Sequence, residues 1–131
     1  MCGSVSAIGL EAGDRELWPT VRERLRVTGR MMALMRGLLG DTEVAAVVAV
    51  EPRGAVTPLA ILCTTQVIVD EISFAEDPGG DGVWPAKIGD YDAEVLVGED
   101  PDGRRRPLAI LVTPWIEQHL LVFARTLWRR Y

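Results

Sequence analysis

The chain has 131 residues, 48% hydrophobic and 25% charged, the size and balance of one compact domain, which argues against disorder. A net charge of −5 and a pI near 4.9 argue against nucleic acid as the main partner. No apolar stretch reaches the length of a membrane span, and two cysteines, Cys2 and Cys63, are too few for a disulfide scaffold and lack metal-ligand spacing.

The first residues lack a basic segment followed by a long apolar one, so the expected location is the cytoplasm, with both thiols reduced. Charge is segregated along the chain. Residues 15–36 carry six Arg against Glu16 and Glu23, and residues 104–131 carry six Arg against Glu117. Between them, Asp41 to Asp102 holds fourteen acids against Arg53 and Lys87. Solvated faces on different elements explain this, as do two basic helices lying against an acidic sheet.

In chain order, residues 1–13 read as a flexible lead-in and 14–131 as a single domain. Val21, Leu25, Thr28, Met32, Met35 and Leu39 recur at spacings of four and three, which predicts a helix opened by Pro19 and stopped by Gly40-Asp41. Thr42–Val50 and Thr57–Thr64 flank the turn letters Glu51-Pro52-Arg53-Gly54 and predict a hairpin. Gln66–Phe74 is rich in Val and Ile and is expected as a strand. Residues 76–82 form a loop closed by Trp84-Pro85. Tyr91, Ala93, Val95 and Val97 alternate with Asp90, Asp92 and Glu94, the pattern of a half-buried strand. A second turn at 99–105 leads to the strand Pro107–Val112. Thr113-Pro114 then opens a final helix, with Arg125, Arg129 and Arg130 near its end. The expectation is an α+β fold in the order α-β-β-β-β-β-α, a mostly antiparallel sheet flanked by N- and C-terminal helices.

Residues 58–64 (PLAILCT) and 107–113 (PLAILVT) nearly repeat, forty-nine positions apart. Each follows a strand and a Pro/Gly turn, so a duplicated hairpin is one explanation, and a limited alphabet for buried strands is another. Either way Leu59, Ile61, Leu108 and Ile110 belong in the core.

Candidate chemistry is sparse. Asp90, Asp92 and Glu94 would share one strand face, but alternation also places polar residues toward solvent. His119 is the one histidine, with no nucleophile near it in sequence. Gly79-Gly80 lacks the Lys and helix of a phosphate loop. No catalytic residue, metal or cofactor is expected. Apolar surplus is the stronger signal. Met32 and Met35 on the first helix, and Trp115, His119 and Trp128 on a last helix apolar nearly all round, point to a homodimer or a bound polypeptide. Hence the expected function is non-enzymatic protein binding, as a small dimeric chaperone or assembly factor. The alternative is a small enzyme or ligand-binding protein with a pocket between sheet and helix.

Three resemblances bear on this. Leu111-Val112-Thr113-Pro114-Trp115 and Trp84-Pro85 resemble, in reversed order, two short features of the assembly chaperones of nickel–iron hydrogenases (HybE type). The element order resembles that of small, acidic, dimeric secretion chaperones. Both likenesses imply non-enzymatic protein binding. Met1-Cys2-Gly3 resembles the start of glutamine amidotransferases with an N-terminal cysteine nucleophile, although their companion motifs are missing here.

Overall fold

A computed structural model describes residues 12–25 and 31–122. The expected lead-in lies outside these residues except for Ala12 and Gly13, which are already helical. The far end of the expected C-terminal helix, including Trp128 and the terminal arginines, also lies outside them.

The fold is α+β, as expected, with more strands and shorter helices. Helix α1 (Ala12–Leu25) precedes β1 (Met31–Leu39), β2 (Thr42–Val50) and β3 (Val56–Leu62). Next come α2 (Gln66–Asp70), β4 (Ile72–Phe74), β5 (Gly82–Ile88), β6 (Tyr91–Glu99) and β7 (Arg105–Leu111). The last elements are α3 (Pro114–His119) and β8 (Leu120–Val122). All eight strands join one sheet in the order β4-β5-β6-β7-β3-β2-β1-β8, and every pairing is antiparallel.

Five expectations are corrected. The final helix opened by Thr113-Pro114 ends at His119, and Leu120–Val122, expected within it, form a strand paired with β1. Residues 31–39 are a strand, not the end of a helix. Gly40-Asp41 reads as a helix stop, but Gly40 has φ 60° and with Asp41 makes the two-residue turn of a hairpin, pairing Leu39 with Thr42. The nine-residue ladder to the β-branched β2 outweighs the helical preference of Met and Leu. Pro19 falls inside α1 instead of opening it. Residues 66–74 divide into a helical turn and a short strand, because Thr65 caps the turn by accepting the Ile68 N–H. Trp84-Pro85 lies within β5 and does not close a loop. Pro85 is tolerated there because β4 pairs only as far as Ala86, leaving the edge free of a donor requirement.

The repeat suggested by the two PLAIL segments is structural, and it is larger than a hairpin. Elements β1-β2-β3-α2-β4 and β5-β6-β7-α3-β8 have the same order. Gly40 and Gly89, Gly54 and Gly103 all have positive φ, at 60°, 59°, 89° and 81° respectively. The turn bonds Glu51 N–H to Ala55 O and Gly54 N–H to Glu51 O recur as Asp100 to Arg104 and Gly103 to Asp100. A bulge follows Val47 in β2 and Leu96 in β6, leaving Leu59 without a partner in β2 and Leu108 without one in β6. Pro58 and Pro107 sit beside these irregularities and beyond the three-residue β3–β7 ladder, positions where a missing N–H costs little.

The halves meet at β3 and β7, where Ile61 pairs with its own counterpart Ile110. Cys63 N–H donates to Leu108 O and Val112 N–H to Leu59 O, the same bond seen from each half. This is the pattern of an approximate two-fold axis between Ile61 and Ile110. Each half also gives its short fourth strand to the other: β4 adds to β5, and β8 adds to β1.

Alternation divides the core between two faces. On one, Val44, Ile61, Val95 and Ile110 pack with Ile68 of α2 and Ile116 of α3. On the other, Ala45, Val47, Ala60, Leu62 and Leu108 pack beneath Leu17 and Val21 of α1. The segregated charges meet within the chain. Arg24 of α1 and Arg105 of β7 both bind Asp81, at 3.1 and 3.2 Å, and these two guanidiniums hold its carboxyl below the usual carboxylate range. Arg36 pairs with Glu43.

Candidate functional site

A cavity of about 460 Å³ opens between the sheet and its two short helices. Its depth is apolar, with buried Ile68, Ile88 and Ile110 on the lining. Its sides come from equivalent positions of the two halves: Leu39 and Ile88, Gly40 and Gly89, Thr42 and Tyr91, Glu71 and His119. The cavity therefore lies on the approximate two-fold axis. Two main-chain bonds fix the equivalence, since Gly89 N–H donates to Glu71 O at 3.2 Å and Gly40 N–H donates to His119 O at 3.1 Å. Each bond ties a hairpin turn of one half to the helix end of the other.

The side chains break the symmetry. Trp115 of α3 stacks on Tyr91 with ring centroids 3.9 Å apart and planes 17° apart. On the same helix His119 lies 4.6 Å from Trp115, centroid to centroid. His119 is oriented by its own helix. Its Nδ1 lies 2.9 Å from the Trp115 carbonyl, which can only accept, so Nδ1 donates, and in the neutral ring Nε2 is the acceptor. The opposite half presents Thr42 and Glu71, and the β5–β6 turn adds Asp90. Neither Glu71 nor Asp90 forms an ion pair or side-chain hydrogen bond among the described residues.

Of the residues expected to bind, the structure brings Trp115 and His119 together in this cavity. It does not add Met32 or Met35. These lie on opposite faces of β1, Met32 packing with the α1 cluster and Met35 buried beside Ala46 and Val48. Asp92 points to solvent and pairs with Lys87 at 3.0 Å, and Glu94 is exposed. Among the described residues no three His, Cys, Asp or Glu side chains are grouped to hold a metal. Cys63 lies in the core beyond the lining. Burial pushes its thiol up to about 12, with Arg106 opposing the shift.

Tyr91 and Glu71 are site residues that sequence reasoning did not select, and Asp90, weighed there with Asp92 and Glu94 as one strand face, reaches the cavity without those two. A signal for Tyr91 and Asp90 exists. Gly-Asp recurs at 40–41 and 89–90 with the same forty-nine-residue offset as the PLAIL segments, which marks Asp90 and Tyr91 as part of the repeat. Among the described residues no helix is long and apolar enough to cross a membrane. No family model, curated protein or solved structure matches the chain.

Proposed function

We propose that this protein is a ligand-binding module whose site is the cavity on the two-fold axis between the sheet, α2 and α3. The observation that carries this reading is the composition of the cavity wall. Four pairs of equivalent residues converge there from both halves, around an apolar depth and an aromatic row. The volume falls within the range of about 300–1,000 Å³ common for small-molecule sites, which pair an apolar lining with a few placed polar groups. The apolar depth and the aromatic row support binding most directly.

Two-dimensional NMR with a library of small aromatic and aliphatic fragments tests the proposal. Binders should shift the amides of Gly40 and Gly89 together with the Trp115 indole. A library that moves none of the three would sink it.

Polypeptide binding is the second reading, favoured by Leu121, which is 58% exposed on the outermost strand β8. If that face pairs two copies, light scattering should report twice the 14.4 kDa chain mass at micromolar concentration. A monomer would remove the homodimer and leave a different polypeptide as the occupant of that face.

A further inference from the structure

We infer that the ligand of the axial cavity carries a positively charged, hydrogen-bond-donating group, most simply an amine attached to an apolar or aromatic body; this rests on the cavity being the binding site. The polar lining is one-sided. Glu71 and Asp90 supply two carboxylates, which accept only, and His119 in the neutral ring offers Nε2, an acceptor while Nδ1 donates to the Trp115 carbonyl. The side-chain donors on the lining are the hydroxyls of Thr42 and Tyr91 and the indole N–H of Trp115, and none of the three carries positive charge. Among the described residues no Lys or Arg lines the cavity. An anionic ligand would meet two like charges there.

Elsewhere on the molecule some carboxylates have partners, while others, Glu94, Glu99 and Glu117 among them, have none among the described residues. Asp81 takes Arg24 and Arg105, Asp92 takes Lys87, Glu43 takes Arg36, and Asp100 lies 3.9 Å from Arg106. At the cavity mouth, the carboxylates of Glu71 and Asp90 have none among the described residues. Both stand beside an apolar depth that suits an uncharged body, and near the exposed Tyr91 ring, whose face attracts cations. A ligand with its apolar part against Ile68, Ile88 and Ile110 would bring its charged end to the two carboxylates.

The test compares three probes of one size, 2-(1-naphthyl)ethylamine and its alcohol and carboxylate analogues, titrated calorimetrically into the full chain at 0.15 M salt. The amine is expected to bind about tenfold or more tighter than the carboxylate. Glu71→Gln and Asp90→Asn should each reduce that preference several-fold, with a smaller effect on alcohol binding than on amine binding. A carboxylate or alcohol that binds as well as the amine overturns the charge assignment and leaves the cavity as the site. An amine preference that survives both substitutions assigns the attraction to the overall negative charge and also overturns it. Failure of all three probes to bind, or to shift the Trp115 indole, removes the cavity reading together with this one.

Discussion

Cys63 and Gly37 show how little room the interior leaves at single positions. Cys63 is fully enclosed, its thiol is raised from 9.0 to about 12 by burial, and its carbonyl accepts from Arg106. Because the folded state holds the proton more tightly than the unfolded chain, this group's contribution to stability is complete below the unfolded value. It is lost as pH rises from about 9 toward about 12. Denaturant midpoints are expected to fall over that window in the wild type and less so in Cys63→Ala. In a Cys2→Ser background a disulfide reagent should label Cys63 only on unfolding, and rapid labelling of the native protein would contradict the burial argument. Gly37 is constrained from outside its own strand. A Cβ there would stand 2.7 Å from the Leu121 carbonyl oxygen of β8, whereas the equivalent strand in the other half carries Ala86. Gly37→Ala is therefore expected to cost about 1–3 kcal/mol as β8 is pushed off β1. Unchanged stability in urea melts would mean that β8 yields freely.

Among the elements, the paired β3 and β7 strands hold the two halves together. Ile61 and Ile110 are each 0% exposed and face each other across the ladder, so truncating either to Ala should cost about 2–5 kcal/mol. The double variant should depart from additivity, because the two residues share one environment; strict additivity would argue against their contact. These strands and their partners β2 and β6 were legible in the sequence, since each is a β-branched or alternating run bounded by Pro and Gly turns. Strand β1 was not, because Met and Leu at residues 31–39 satisfy a helical spacing as readily as a strand, and a ladder to β2 cannot be seen locally. The three-residue strands β4 and β8 are too short to leave a periodic pattern. The site was half legible. Trp115 and His119 are conspicuous residue types on a capped helix, whereas Glu71 enters only through the two-fold relation that sets it opposite His119.

For the whole molecule, the exchange of fourth strands between halves links assembly of the sheet to the order of the chain. Strand β4 is followed by β5 after a single loop, but β8 must return to β1, joining Gly37 to Val122, the most widely separated of all paired residues. Closing so long a loop carries a larger entropy cost, so its contacts are expected late. In refolding experiments with pulsed hydrogen exchange, amides of β2, β3, β6 and β7 should gain protection before the β8-facing amides of residues 37–39. Simultaneous protection would refute this order. During synthesis on the ribosome the consequence is sharper. β4 has to wait only for the next hairpin, while β1, a Met- and Leu-rich strand, stands as an open edge until the last residues of the sheet emerge. An unpaired apolar edge is a template for any other strand nearby. The nascent chain is thus most exposed to aggregation in the interval just before β8 arrives, and the three residues Leu120–Val122 end that interval by covering Gly37–Leu39 and shortening the open edge.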